Sequence, residues 1–403
     1  MEKYNYTNNN NNPINELFKS NNKQIDKSNE KGKGKRKDIP LSKREKMPKD
    51  LLNSPTSTDS LSPLSIHSKN FVAKEYPNMV LSSSKKEQLP KIEKTEKKEK
   101  MEKNGKIIKN IKSLCKVGTA GPNQKKLNQD NYFIFQNFLN NPSYAYIGVC
   151  DGHGIFGQNV SCYLKDHLSK NIQEEFLHKK ITNLAQSDII LLSQTINNIY
   201  QKTNKEMNED ERIDSTYSGS TCVSIIFSPE RLFCINVGDS RCVLGKFNSN
   251  KNEWIAMNLS RDHKPSEPNE KERILKNEGK VEPYVDNEGN FIGPERVWLK
   301  NGDGPGLAMS RSFGDEVAHT VGVIVNPEIF DYHFVEEDKF IIIASDGIWE
   351  FISSEEVVEI TKNFYLKNDL EGALDYLYNE SVKRWMINEN IIDDITIVLL
   401  FLE

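Results

Sequence analysis

Apolar, β-rich segments of this chain repeatedly end at an aspartate. Residues 144–150 lead directly into Asp151, and residues 340–344 lead through Ser345 into Asp346, and a glycine follows each aspartate. Other aspartates stand beside further apolar segments, namely Asp130, Asp239 and Asp393, the last followed by Asp394. Because apolar strands must share a core, their ends can converge, and clustered carboxylates repel one another unless they are protonated or bridged by cations. The pattern predicts strand ends that meet around a charged site.

The residue types at these strand ends indicate a metal site. Carboxylate oxygens are the ligands that Mg²⁺ and Mn²⁺ prefer, whereas zinc is more often held by His or Cys. A lone strand-end aspartate, such as Asp239 or Asp130 taken singly, is more often a turn residue that hydrogen-bonds to its own backbone. The repetition in near-identical settings favours two divalent cations. Gly152 and Gly347 allow close approach of the main chain, so a carbonyl could itself be a ligand, although an ordinary turn explains either glycine equally well.

A histidine follows the first of these Asp-Gly pairs. His153 stands in "DGHG", at the expected mouth of the site. An imidazole titrates near neutral pH, so beside metal-bound oxygens it can protonate a leaving group. In an arbitrary loop a lone histidine is more often structural, and it is the neighbouring aspartates that favour proton transfer here.

Composition divides the chain of 403 residues near residue 107. Residues 1–106 are rich in Asn, Lys, Glu and Ser and contain few large apolar residues, as in "NYTNNNNNPINE" and "KIEKTEKKEKMEK". Such a segment cannot offset the entropy cost of ordering, so we predict a disordered N-terminal extension. Residues 107–403 are predicted to form one folded domain.

The folded part is predicted to belong to the α+β class. Its β-branched and aromatic content predicts strands over residues 131–138, 144–150, 218–227, 232–237, 241–247, 254–259, 340–344 and 395–402. Three-to-four spacing of apolar residues predicts helices over 159–179, 188–207, 269–277, 353–364 and 370–386, the fourth opened by a capping box of Ser353 and Glu356. The strands between 218 and 259 follow too closely for crossover helices, which predicts an antiparallel meander. A two-sheet core with helices outside is the expected architecture.

Several function classes are disfavoured by charge and composition. The net charge of −4 includes a Lys-rich N-terminal segment, so the folded part is acidic and not suited to nucleic acid. The basic run over residues 31–46 is a solvated charge run or, alternatively, a nuclear address or anionic-surface contact. The six cysteines form no C-x-x-C pair, which predicts reduced core residues of an intracellular protein, cytoplasmic with the nucleus as an alternative. No window approaches the length of a membrane span.

The ordered motifs resemble those of the metal-dependent serine/threonine protein phosphatases of type 2C. The resemblance rests on "NQD" (128–130), "DGHG" (151–154), "SGSTCV" (218–223), "GDSR" (238–241), "DHKP" (262–265), "EKERILKNEGKV" (270–281), "LAMSRSFGD" (307–315), "ASDGIWE" (344–350) and "DDITIVLL" (393–400). Each string alone is weak evidence, but the order and spacing match from about residue 113 to the C-terminus. The resemblance implies a central antiparallel β-sandwich flanked by helix pairs, with a binuclear Mn²⁺ or Mg²⁺ centre at one end.

The resemblance also implies roles for individual residues. Asp151 would bridge the two metals and the Gly152 carbonyl would bind one of them, while Asp346 and Asp393 would hold the other. Asp130 would bind or order metal-bound water, and His153 would be the general acid. By the same analogy, a third and weaker metal would be bound by Asp239, with Glu350 beside it.

Three positions depart from the pattern of the family. Gln129 stands where many members carry an acidic residue, so one metal would be held with less protein charge. Lys125 aligns with a phosphate-binding arginine of many members and would offer a point charge in place of a bidentate fork. Glu350 replaces an aspartate but keeps an oxygen ligand. For Arg311 and Asp315 a conformational or salt-bridge role is favoured over substrate contact.

The expected function is hydrolysis of phosphoserine and phosphothreonine in protein substrates by a hydroxide that bridges two metals, without a phosphoenzyme. Two other classes stay open at this point. One is a non-catalytic binding protein, which the presence of Asp151, Asp346 and Asp393 disfavours. The other is a metal-dependent hydrolase of a small-molecule or nucleic-acid phosphate. For the extension over residues 1–106 we expect regulatory or targeting contacts.

Overall fold

The computed structural model describes residues 105–121, 126–286, 288–302 and 304–403. The predicted disordered extension lies, for residues 1–104, outside the described residues. The strands in chain order are β1 Ile108–Lys116, β2 Asn131–Gln136, β3 Ala145–Cys150, β4 Gly152–His153, β5 Gly219–Ser220, β6 Cys222–Phe227, β7 Arg231–Val237, β8 Arg241–Asn248, β9 Glu253–Asn258, β10 Gly279–Val285, β11 Phe291–Leu299, β12 Pro305–Leu307, β13 Phe313–Gly314, β14 Glu328–His333, β15 Asp338–Ala344 and β16 Ile395–Leu402. The α-helices are α1 Gly157–His178, α2 Ile189–Asn208, α3 Pro268–Lys276, α4 Glu316–His319, α5 Asp346–Trp349, α6 Ser354–Tyr365 and α7 Leu370–Asn388.

Two five-stranded antiparallel sheets form the centre of the domain. The first sheet has the order β1-β16-β15-β8-β9 and the second has the order β14-β7-β6-β3-β2. Side chains from both sheets meet in one apolar layer, which includes Ile147 and Ile225 of the second sheet and Leu244, Ile341 and Val398 of the first. The expected β-sandwich is confirmed.

A pair of helices covers the outer face of each sheet. Leu164 of α1 and Ile196 of α2 pack with Tyr146 and Phe233 against the second sheet. On the first sheet, the core of α6 and α7 includes Val357, Leu374 and Leu377 beside Phe340 and Phe401. Because both faces of these sheets are covered, strands such as β3, β6 and β16 are buried along their whole length. Their continuous apolar sequences follow from that burial.

Helix starts agree with the capping signals in the sequence. The side chain of Ser353 accepts a hydrogen bond from the Glu356 amide, and the Glu356 side chain accepts one from the Ser353 amide, so the predicted capping box is confirmed. Asp188 caps α2 by accepting from the amide of Ile190. Each cap satisfies backbone N–H groups that the first helical turn leaves without a partner.

The predicted meander over residues 218–259 is wrong in one respect. β6 pairs with β7 and β8 pairs with β9, but β7 belongs to the second sheet and β8 to the first. The turn at residues 238–240 therefore carries the chain across the sandwich. Strand propensity predicts that two strands follow one another in sequence, but it does not predict which sheet each strand joins. The predicted strand 218–227 is also interrupted at Thr221, between β5 and β6.

Several strands were not predicted from the sequence. β1 ("IKNIKSLCK") is an edge strand with exposed lysines at positions 109, 112 and 116, and charge on an edge discourages pairing with other chains. β10 and β11 contain Pro and Gly, and their register shifts between Glu282 and Tyr284. With β12 they form a separate three-stranded sheet, and β13-β5-β4 form another.

Two of the six cysteines do not fit the prediction of core residues. Cys150, Cys222, Cys234 and Cys242 are buried and unpaired, as expected, but Cys162 is exposed on α1 and Cys115 is half-buried. Helical residues show a different face at each position, so an apolar neighbourhood in sequence does not ensure burial. Among the described residues, no helix combines the length and apolarity needed to cross a membrane.

Candidate metal centre and catalytic histidine

The aspartates singled out in the sequence converge at one end of the sandwich. Asp151 directly follows β3 and Asp346 is the first residue of α5, immediately beyond β15 and Ser345. The other members of the cluster are Asp130 before β2, Asp239 in the turn between β7 and β8, and Asp393 two residues before β16. The two sheets therefore each contribute carboxylates to a shared end of the core.

The electrostatics of the cluster show how closely its members approach. Burial raises the pKa of Asp151 well above its usual value, and the charges of Asp130, Asp346, Asp393 and Asp239 raise it further. The pKa of Asp346 is likewise raised by burial and then by Asp393 and Asp239. These carboxylates cannot all be ionised together at neutral pH without a nearby positive charge.

Asp130 is buried directly before β2. Burial raises its pKa to about 7, against the lowering effect of hydrogen bonds from Ser345 and Thr396. The Ser345 hydroxyl donates to its Oδ2 at 2.8 Å. Its Oδ1 is buried and has no hydrogen-bond partner among the described residues, and the same holds for Oδ1 of Asp239. Buried carboxylate oxygens without partners are costly, so each is a candidate ligand atom.

Two lysines supply positive charge at the edge of the cluster. Lys126 Nζ lies 2.7 Å from Asp393 Oδ1 and 3.3 Å from Asp394 Oδ1. Lys264 Nζ lies 2.6 Å from Asp239 Oδ2, and the interaction raises the pKa of Lys264 despite its burial. Both ion pairs engage only the outer aspartates, so they do not neutralise Asp151.

The donor set fits hard divalent cations such as Mg²⁺ or Mn²⁺. All the side-chain atoms concerned are oxygens, and Gly152 meets the backbone closely, since a Cβ there would lie 2.5 Å from the carbonyl oxygens of Gln129 and Gly157. Within the described ranges, no three Asp, Glu, His or Cys side chains are arranged as a group that could hold a metal ion.

His153 lies in the short ribbon formed by β4 and β5, beside the aspartates. Its Nε2 is 2.7 Å from Asp315 Oδ2, and its side chain is 22% exposed. Burial lowers the pKa of His153, but the charge and the hydrogen bond of Asp315 outweigh burial, so the pKa is raised. Asp315 also accepts from the Ser312 hydroxyl at 2.6 Å. The carboxylate thus holds the imidazole in one orientation and favours its protonated form.

Asp315 and Asp394 are the residues at the site whose contacts were not foreseen from sequence. Asp315 is buried and has a left-handed backbone at φ 46°. The sequence favoured a conformational or salt-bridge role for it, but did not indicate His153 as the partner. Asp394 accepts from the amides of Gly118 at 2.7 Å and Gln129 at 2.8 Å, so it ties two loops to the start of β16. Its position next to Asp393 was the only signal in the sequence.

The "SRSFGD" segment is anchored to α3 by hydrogen bonds to a buried carboxylate. Glu270 of α3 accepts hydrogen bonds from Arg311, Arg273 and Ser310. Arg311 therefore makes a salt bridge with Glu270, which agrees with the conformational or salt-bridge role predicted from the sequence. His263 of "DHKP" is buried, and its Nδ1 accepts from the Gly238 amide in the expected turn.

Two predicted residues remain, Lys125 and Glu350. Lys125 lies outside the described residues. Glu350 is exposed at the end of α5, and its amide donates to the Asp346 carbonyl at 2.9 Å. The pKa of Asp346 is raised mainly by burial and then by the charges of Asp393 and Asp239. Glu350 is not among its main causes.

Comparisons with known proteins agree with the fold and the motifs. The family model described as Protein phosphatase 2C matches residues 116–389. "Probable protein phosphatase 2C 73" of Oryza sativa subsp. japonica is 34% identical over 303 residues, which cover 69% of this chain and 70% of that protein. "Probable protein phosphatase 2C 73" of Arabidopsis thaliana is 32% identical over 293 residues, covering 69% of this chain and 76% of that protein.

A solved structure shares the architecture. The crystal structure of serine-threonine phosphatase 2C from Toxoplasma gondii aligns with a TM-score of 0.62 over 73% of this chain and 94% of that chain. The two sequences are 21% identical, so this likeness concerns the fold alone. The match of the family model, together with relatives above 30% identity, shows that this chain belongs to the protein phosphatase 2C family.

Proposed function

We propose that this protein hydrolyses phosphoserine and phosphothreonine esters of protein substrates with the help of divalent metal ions, and that it does so inside the cell. The observation that carries the proposal is the buried cluster of carboxylates next to His153, in which Asp151 is surrounded by other aspartates that raise its pKa. A cluster of this kind needs cations to be stable in its ionised form.

The proposed ligands are those with oxygens in or beside the cluster. Two divalent cations would be held by Asp151 and the Gly152 carbonyl together with Asp346 and Asp393, and Asp130 would orient water. Two bound Mn²⁺ or Mg²⁺ ions would lower the pKa of a bridging water and so supply a hydroxide for in-line attack without a phosphoenzyme. For a weaker third ion the proposed ligands are Asp239 and Glu350, and for the substrate phosphate the proposed contact is Lys125.

His153 is the proposed general acid. The leaving group is the serine or threonine alkoxide, which is a strong base and must receive a proton as the P–O bond breaks. A protonated His153 can donate from Nδ1, which has no hydrogen-bond partner among the described residues, while Asp315 accepts from Nε2. The hydrogen bond to Asp315 at 2.7 Å supports this role because it favours the imidazolium form.

The proposal is tested by phosphate release from a phosphothreonine peptide. We expect turnover in Mn²⁺ or Mg²⁺ and none in EDTA, and we expect Asp346→Asn to lower kcat/KM by about a hundredfold or more. Asp375→Asn, on the exposed face of α7, is the matched control and should retain wild-type activity. Equal activity of Asp346→Asn and the wild type, with both proteins folded by circular dichroism, would contradict the two-metal proposal.

A regulatory or targeting role is proposed for residues 1–106. Their length and their content of Ser and Lys motivate the proposal, because such segments suit modification and charge-dependent contacts. A variant that starts at Lys106 should differ from the full chain in activity or in cellular distribution. If neither changes, the segment is a passive spacer.

A further inference from the structure

Large apolar side chains are exposed around the loop that carries His153. Ile155 is 84% exposed, Leu127 is 73% exposed and Tyr217 is 57% exposed. We call these residues the apolar rim. Single exposed apolar residues are ordinary on protein surfaces, so exposure alone does not indicate a site. What distinguishes these residues is that all three lie on segments connected to the loop of His153.

Two members of the apolar rim lie just beyond the end of the β4–β5 ribbon. In this antiparallel ribbon Gly152 pairs with Ser220 and His153 pairs with Gly219. The pairing ends there, and the chain turns after Gly154, whose φ is 82°. The two backbones stay close beyond the ribbon, since a Cβ on Gly154 would lie 2.4 Å from the Tyr217 carbonyl oxygen. Ile155 thus stands two residues after His153, and Tyr217 stands two residues before Gly219, the partner of His153.

Leu127 belongs to a segment that is fastened to the same loop. The side chain of Gln129 donates a hydrogen bond to the Gly154 carbonyl at 2.6 Å. The neighbouring Lys126 pairs with Asp393 of the acidic cluster. Leu127 thus lies between a residue that contacts the metal-site aspartates and one that contacts the histidine loop.

Tyr217 also faces the sheet formed by β10, β11 and β12. A Cβ on Gly304, just before β12, would lie 4.0 Å from Tyr217 Cε1. The ring is therefore next to the irregular segment that joins β11 to β12.

Based on the proposed function, we propose that the apolar rim binds a large aliphatic or aromatic side chain of the phosphoprotein substrate, one or two residues from the phosphorylated serine or threonine. The aspartate cluster and its cations would engage only the phosphate, which every substrate shares. Discrimination between substrates then has to come from flanking residues. Burying an apolar side chain of the substrate against these exposed apolar residues is favourable, so such contacts can discriminate between flanking residues.

The test uses the full chain with Mn²⁺ and two phosphothreonine peptides that differ only in having Leu or Ser at the positions flanking the phosphothreonine. We expect the wild type to prefer the Leu peptide by about tenfold or more in kcat/KM, mainly through KM. In Ile155→Ala and Tyr217→Ala that ratio should fall toward one. Ile387→Ala, which removes an equally exposed side chain from α7, should leave the ratio unchanged.

The outcomes separate this inference from the proposed function. Turnover of both peptides by the wild type without preference would overturn the role of the apolar rim and leave the phosphatase proposal intact. A preference that persists in both rim variants, with unchanged melting temperatures, would also overturn it. Failure of the wild type to hydrolyse either peptide or p-nitrophenyl phosphate in Mn²⁺ would overturn the phosphatase proposal, and the inference with it.

Discussion

Substitution of Glu270 by Gln tests how the segment behind the catalytic histidine is held. Glu270 is 1% exposed and lies on α3. Its Oε1 accepts from Arg311 Nη2 at 2.7 Å, and its Oε2 accepts from Arg273 Nη2 at 2.8 Å and from the Ser310 hydroxyl at 2.6 Å. Glu270→Gln keeps the shape of the side chain, removes its negative charge and turns an NH₂ group toward a guanidinium.

The expected loss of stability follows from burial. Removing one partner of a buried ion pair costs about 3–5 kcal/mol because the remaining charge is left without compensation. The low end applies, about 3 kcal/mol, because the side chains of Arg311 and Arg273 keep exposures of 14% and 21% and can regain some hydration. A folded part of about 300 residues has an unfolding entropy of about 0.6 kcal/mol/K, so the melting temperature should fall by about 5 °C.

The same carboxylate predicts a pH dependence. Burial opposes ionisation of Glu270, but hydrogen bonds from Arg311, Arg273 and Ser310 outweigh burial and hold its pKa well below the usual value. A depressed carboxylate pKa contributes stability that is complete above the unfolded-state pKa, about 4.5, and is lost as the pH falls below it. The difference in melting temperature between wild type and Glu270→Gln should therefore be constant from pH 8 to pH 6 and shrink below pH 4.5.

Thermal unfolding followed by circular dichroism measures both effects. Glu272→Gln is the matched control, since Glu272 pairs with Lys276 on the exposed face of the same helix, and its melting temperature should equal that of the wild type. A shift of less than 1 °C for Glu270→Gln at pH 7, or a difference that grows toward acidic pH, would refute the reasoning.

Further predictions concern the caps, the cluster and the histidine. Ser353→Ala removes the helix cap of α6 and should cost about 1 kcal/mol, or about 2 °C in melting temperature, in calorimetry; no change would mean that water replaces the cap fully. In EDTA, Asp346→Asn should melt above the wild type by about 2 °C or more because one of the carboxylates that repel Asp151 is neutralised, and a lower value would speak against repulsion. Asp315→Asn should lower kcat on a phosphothreonine peptide by about tenfold. It should lower kcat on p-nitrophenyl phosphate less, because nitrophenolate leaves without needing a proton. An equal effect on both substrates would argue against the positioning of His153 by Asp315.

Local sequence patterns predict much of the fold. β3, β6 and β16 are buried on both faces, and their continuous apolar runs identify them as central strands. The capping box at Ser353 is a similarly local signal, because its donor and acceptor are three residues apart. Edge strands such as β1 and β14 were not predicted, since exposed and polar residues interrupt the apolar pattern of each.

The sequence by itself determined that aspartates stand at the ends of apolar strands and predicted a charged site there, because an aspartate after an apolar strand has few stable surroundings other than cations or solvent. Only the tertiary structure decided which of those ends meet and what holds them. Asp315 reaches His153 across 162 residues of sequence, and Asp394 reaches Gly118 across 276. Such contacts depend on how the two sheets close on one another and on the crossing of the chain at residues 238–240. No periodicity or propensity encodes that closure, since both describe a segment together with its immediate neighbours.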